Sequence, residues 1–208
     1  MTVTEALQHR RATPHFDPSA VISREELLAI MDTASLAPSS SNLQPWAFLI
    51  LESEADRRRL WAVSYEQPKI LEAPVVVVVL GNYRAHIEHG PQIVDSQIAN
   101  GYLKPERREQ KIADLAGGWD HPVAQMTEAF RGSSLWSMAF MLAAEEAGWN
   151  TAPMGGYKPD ELMAEFGVPD TYFPTMIICV GKADASRTML PRNVRFAAAD
   201  RIHVGNWA

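Results

Sequence analysis

Residues 73–80 read Ala73-Pro74-Val75-Val76-Val77-Val78-Val79-Leu80, a proline followed by five valines and a leucine. β-Branched side chains suit the pleated surface of a strand, and the run is too short to favour a helix. A strand with one solvated face alternates apolar and polar residues; this one does not, so it is expected to be buried on both faces. That places it at the centre of a layered fold, and the rest of the chain is read as what covers it. Upstream, Trp46–Leu51 reads as a second strand; downstream, Met176–Val180 reads as a third. Between and around them lie helical patterns. Ser23-Arg24-Glu25-Glu26 is a capping box, and Leu27, Met31 and Ala34 mark the buried face of a helix that must finish before Pro38. Ser53-x-x-Asp56 opens another helix. Thr4 is read as the cap of a short helix running toward Arg10, with Pro14 as its stop.

From Val123 to Trp149 the pattern is helical and apolar nearly all round, which suits a core or subunit-interface helix, and Gly148 supplies its stop. Asn150–Tyr157 (NTAPMGGY) reads as a loop, Pro159–Gly167 as a short helix, and the tail from Arg187 carries no periodicity. Residues 81–121 are polar and irregular, an excursion or lid with one or two surface helices. No repeat or linker divides the chain. The expectation is a single α+β domain spanning 1–208.

Of the 208 residues, 47 % are hydrophobic and 21 % charged, the balance of an ordinary globular protein. The net charge of −6 disfavours nucleic acid and anionic membranes as partners. Its distribution says more: residues 1–12 carry +1 and residues 187–208 carry +3, leaving −10 for residues 13–186. Both ends of an acidic chain are basic. No apolar run approaches the ~20 residues of a membrane-spanning helix, and the charged N-terminus does not resemble a signal peptide. A cytoplasmic location is expected. With one cysteine, Cys179, no internal disulfide or cysteine-based zinc cluster can form; its apolar neighbours make it a core residue. His86 and His89, with Glu88 and Asp95, are spaced too loosely for a metal site and read as a surface loop. No Rossmann, P-loop, zinc-protease or nucleophile-elbow motif is present.

Several segments taken together are more specific. Arg10-Arg11-Ala12-Thr13-Pro14-His15-Phe16 precedes Ala37-Pro38-Ser39-Ser40-Ser41-Asn42-Leu43-Gln44-Pro45-Trp46-Ala47-Phe48. Gln67-Pro68-Lys69, Ala152-Pro153-Met154-Gly155-Gly156-Tyr157 and Leu190-Pro191-Arg192-Asn193-Val194-Arg195 follow in order. This succession, spanning almost the whole chain, resembles the nitroreductase family of FMN-dependent enzymes. The resemblance implies a mixed β-sheet flanked by helices, an intertwined homodimer, and an FMN site at the subunit interface. It also implies NAD(P)H as electron donor, small electron-poor acceptors, and chemistry carried by the flavin without a catalytic side chain or metal.

The residues suit such a cofactor. Guanidinium groups bind phosphate at fixed geometry, which suits Arg10, Arg11 and Arg195 to the FMN phosphate, and by resemblance Ala12 and Arg192 also belong to the cofactor site. By resemblance Pro38, Ser39, Ser40 and Asn42 reach the flavin held mainly by the other subunit. Lys69 falls near the pyrimidine edge, where a cation favours the reduced, anionic ring. Pro153, Met154, Gly155 and Gly156 bring backbone close to the ring, with an N–H available to flavin N5. Two positions depart from the pattern: Ala12 stands where many members carry Ser, and Glu66 where many carry Asn. An ionised Glu66 at the ring edge would oppose Lys69. The family's other branches, with dehalogenase or flavin-destructase chemistry, and a non-catalytic flavin sensor on the same scaffold, are the alternative readings.

Overall fold

A computed structural model describes residues 1–207. In chain order the elements are α1 (Val3–His9), α2 (Arg24–Ala34), β1 (Trp46–Leu51), α3 (Glu54–Ala62), α4 (Lys69–Glu72), β2 (Val75–Asn82), α5 (Ala85–Glu88), α6 (Gly90–Ala99), α7 (Arg108–Gly118), α8 (Pro122–Glu146), β3 (Asn150–Met154), α9 (Pro159–Phe166) and β4 (Tyr172–Gly181). The strands form one sheet in the order β1-β2-β4-β3.

The valine run is the inner strand β2, and every residue from Val75 to Asn82 is buried. Successive side chains point to opposite faces, so the run feeds two cores at once. Val76, Val78 and Leu80 pack with Leu60, Ile70, Leu162, Ile177 and Cys179 beneath α3, α4 and α9. Val75, Val77 and Val79 pack with Leu27, Ile30, Met31, Trp136, Phe140 and Met141 of α2 and α8. Full burial of each such side chain contributes about 1.5–3 kcal/mol, which makes β2 the energetic centre of the fold.

The α+β class is as expected, and the expected mixture of strand directions is corrected. All three ladders are antiparallel; Leu51 at the end of β1 pairs with Val76 at the start of β2. Parallel pairing occurs among the described residues only as the single bridge Ala12–Thr151 on the outer edge of β3.

Ser23 and Ser53 cap α2 and α3 as expected. The cap of α1 is Thr2, not Thr4: Thr2 and Glu5 form a reciprocal capping box two residues earlier. Asn150–Met154, expected as loop, is the edge strand β3, paired with β4 from Asn150–Gly181 to Met154–Ile177. Pro153 is tolerated there because an edge strand needs ladder donors on one side only. The excursion holds three helices, α5, α6 and α7. It is fastened to the body by a small core of Leu43, Ala85 and Ile93 with Trp119 against it. Gly148, at φ +78°, stops the chain after α8 as expected.

Candidate functional site

The arginine motif is placed by the outer edge of β3. After α1, Ala12 bridges Thr151 and the Thr13 amide donates to the Thr151 carbonyl at 3.0 Å, laying residues 10–15 along the strand. The tail returns over the same edge. Between them lies a cavity of about 490 Å³, lined by Arg10, Arg11, Ala12, Pro14, His15 and Pro153 and by tail residues 188–193 and 195. Two chain ends more than 170 residues apart in sequence therefore meet in one cationic hollow.

The guanidiniums differ in what they do. Arg11 donates from Nη2 to the Leu190 carbonyl at 2.6 Å, tying the two walls together. Arg192 donates from Nη2 to the carbonyls of Arg10 at 2.6 Å, His9 at 3.1 Å and Gln8. It thus caps the C-terminal end of α1, where unpaired carbonyls and the helix dipole attract a cation. Arg195 donates only to its neighbours' carbonyls, Asn193 at 3.2 Å and Val194 at 3.0 Å. Arg10 is half-buried, and its Nε is buried without a partner. Burial, then the nearby Arg192 and Arg195, pull its pKa below the usual arginine value, with Glu145 opposing. Among the described residues none of these four arginines forms an ion pair with a carboxylate. A cavity with uncompensated cations and an orphaned buried donor is built for an anion, and a phosphate group fits its donor set. His15, on the same wall, has Nδ1 3.3 Å from Glu72, whose other oxygen accepts the Phe16 amide at 3.1 Å. Nothing in local sequence signalled that pair, since its members are 57 positions apart.

Along β3 the cavity wall leads through Pro153 and Met154 to the two glycines. A Cβ on Gly155 would meet nothing of the chain within 4 Å, so its backbone is open to a ligand. Gly156 is different: its carbonyl accepts Gln67 Nε2 at 2.9 Å, and a Cβ there would collide with that same amide. Tyr65 and Glu66 are both held at φ +52°, a conformation rare for residues with a side chain and concentrated at functional sites. Glu66 is exposed, and Lys69 begins α4.

The serine loop lies elsewhere. Ser39 Oγ accepts the Gln44 amide at 2.9 Å, and Ser40 Oγ donates to the nearly buried Glu128 carboxylate. Ser41, Asn42 and Gln44 have φ of +51°, +56° and +48°, a second strained stretch. Pro38, Ser39, Ser40 and Asn42 precede β1, which is the sheet edge opposite β3. With strands spaced ~4.8 Å apart, the two edges are roughly 14 Å apart. The chain thus brings Arg10, Arg11, Ala12, Pro153, Arg192 and Arg195 onto one cavity. Met154, Gly155, Gly156, Glu66 and Lys69 belong to the neighbouring segments, and the serine loop stands on the far edge.

His86 is not a surface residue: it is buried in the excursion, and burial followed by the nearby Arg84 lowers its pKa. His89 lies with Nδ1 2.8 Å from the Leu43 carbonyl. Among the described residues no group of three or more His, Cys, Asp or Glu could hold a metal ion. Cys179 is buried, its thiol pushed up to about 12 by desolvation, as a core residue should be. No helix of the described residues is long and apolar enough to cross a membrane.

An antiparallel sheet between helical layers, with an arginine-lined cavity on one edge, defines an α+β protein. The chain belongs to the nitroreductase family, an oxidoreductase family whose model matches residues 7–182. It is 32 % identical over 179 residues to the "Putative NAD(P)H nitroreductase YodC" of Bacillus subtilis, covering 86 % of this chain and 88 % of that one. It is 25 % identical over 186 residues to the CLA biosynthesis enone reductase of Lactiplantibacillus plantarum, covering 87 % and 85 %. A crystal structure from Exiguobacterium sibiricum, solved in complex with FMN, superposes with a TM-score of 0.86 at 29 % identity, covering 98 % and 97 %.

Proposed function

We propose that this chain is an FMN-dependent NAD(P)H oxidoreductase that works as a homodimer and reduces nitroaromatic, quinone or activated-alkene acceptors in ping-pong order. The observation that carries the reading is the cavity between residues 10–15 and 188–195, with its carboxylate-free arginines and the orphaned Arg10 Nε. Bound there, FMN would supply two-electron hydride chemistry at N5. The chain's own part is to bind, orient and exclude. Arg10, Arg11 and Arg195 take the phosphate, Ala12 and Pro153 floor the path from it, and Met154, Gly155 and Gly156 offer backbone to the ring. Lys69 stabilises negative charge on the pyrimidine edge, while Glu66, exposed three positions before it, lowers that effect when ionised.

What one chain leaves incomplete supports the dimer. Pro38, Ser39, Ser40 and Asn42 cannot reach across their own sheet, so in this reading they serve the cofactor of the partner subunit. The tail exposes Leu190, Val194, Phe196, Ile202, Val204 and Trp207, more apolar surface than an isolated chain end favours. β1 (WAFLIL) is an edge without a charge, a proline or a bulge, the kind that pairs with another chain.

The test is a single preparation. Purified protein retains or takes up FMN, NADH or NADPH bleaches it anaerobically, and a nitroaromatic, quinone or enone restores the colour. A protein that does not bind FMN ends the reading. FMN binding without reduction by either nicotinamide would mark a non-catalytic flavoprotein instead.

A further inference from the structure

We propose that Gln67 is a positioning residue for the Gly155–Gly156 backbone and, resting on the flavin placement above, for the hydrogen bond offered to N5. Gln67 Nε2 donates to the Gly156 carbonyl at 2.9 Å across 89 residues of sequence, linking the strained loop before α4 to the end of β3. That bond is part of a clamp. The Lys158 amide donates to the Val63 carbonyl at 2.9 Å, on the far side of the same two loops. The Tyr65 ring edge lies 3.8 Å from where a Gly156 Cβ would stand. An ideal Cβ on Gly156 would lie 2.9 Å from Gln67 Nε2, so a side chain there would push that amide from its place.

The contrast between the two glycines gives the clamp its purpose. Apart from its chain neighbours, nothing lies within 4 Å of where a Gly155 Cβ would stand, while the Gly156 carbonyl is held by a side-chain amide, so the Gly156–Tyr157 peptide is fixed directly beside an open Gly155. A donor aimed at a reacting atom is worth most when it costs no reorganisation at the moment of reaction. Tyr65 and Glu66, the two residues before Gln67, both have φ of +52°.

Gln67→Met keeps length and neutrality and removes the donor; Gln67→His at pH 8 restores a neutral ring N–H. In the cofactor-free protein, amide exchange at Gly156 and Tyr157 is expected to quicken in Gln67→Met and to recover in Gln67→His. In protein loaded with ¹⁵N5-labelled FMN, the N5 resonance is expected to move toward its non-hydrogen-bonded position in Gln67→Met. Anaerobic flavin reduction should slow by about ten- to hundredfold, the scale of a sub-ångström to 1 Å misplacement. Gly156→Ala displaces the same amide, so its effects and those of Gln67→Met should be strongly non-additive. Unchanged exchange in Gln67→Met overturns the positioning role. Faster exchange with an unchanged N5 resonance overturns the flavin placement and, with it, the link to N5.

Discussion

Arg10 is a cation that the folded chain desolvates without pairing. Such a group costs the apoprotein stability and repays it only when an anion arrives. Arg10→Met is therefore expected to leave the cofactor-free protein as stable as wild type or more so. FMN binding should weaken by about 1.5–3 kcal/mol, the scale of a hydrogen bond to a charged group. Arg195→Ala should weaken FMN by a similar amount. Arg192→Ala should instead lower the thermal midpoint without cofactor, since it removes the cap of α1, worth about 1 kcal/mol. Calorimetry of FMN binding together with melting curves of the apoproteins separates the three; equal loss of apo stability in Arg10→Met and Arg192→Ala would show that Arg10 is structural. His86 gives a pH prediction. Its folded pKa is depressed by burial, so on acidification the unfolded chain takes the proton first. The stability from keeping His86 neutral is full above its ordinary value of roughly 6.5 and is lost as pH falls through the folded value. His86→Gln should flatten the fall in denaturation midpoint between about pH 7 and 5; an unchanged slope would place the acid sensitivity elsewhere. Sequence alone could pick out the arginines as cationic and sort them by resemblance. It could not distinguish an arginine that caps a helix from one left without a partner, because that depends on which carbonyls the tail meets.

At the scale of elements, the long helix α8 crosses the sheet where side chains are missing. An ideal Cβ on Gly132 would lie 2.6 Å from Pro45 Cγ, and one on Gly81 would lie 2.9 Å from the Ala129 Cβ. The proline ring is rigid and follows directly on the strained serine loop, so it has little room to yield. Gly132→Ala is expected to destabilise by about 1–3 kcal/mol through overpacking. The urea midpoint should fall with the slope unchanged, because the surface exposed on unfolding is the same; an unaltered midpoint would mean α8 can shift away from Pro45 freely. The element pattern of the sequence was legible where period and capping agree: β2 from its valines, α2 and α3 from their serine caps, α8 from its length and Gly148. β3 was not. Asn150, Ala152 and Pro153 carry weak strand preference, and the segment is a strand because β4 supplies a long apolar template beside it. Likewise Thr2 outcompetes Thr4 as a cap because Glu5 can return the hydrogen bond only to Thr2.

For the whole molecule, the basic chain ends and the acidic body describe one device. The tail past Arg187 contributes the far wall of the anion cavity, anchors itself to α1 through Arg192, and leaves its apolar side chains without cover in one chain. The proposed cofactor binding and the proposed dimer therefore share a segment, and deleting it should remove both. A chain ending at Ser186 is expected to fold, since the sheet and both cores lie before that point. It should retain no FMN and sediment as a monomer. Arg195→Ala makes the comparison informative, because it weakens the phosphate contact and leaves the apolar tail intact, so it should lose flavin while sedimenting as a dimer. A truncated chain that still dimerises would move the interface onto the exposed positions of α8, among them Val123, Met126 and Leu135. A truncated chain that still holds FMN would show that Arg10 and Arg11 suffice for the phosphate, and that the tail's three net positive charges serve the partner rather than the cofactor.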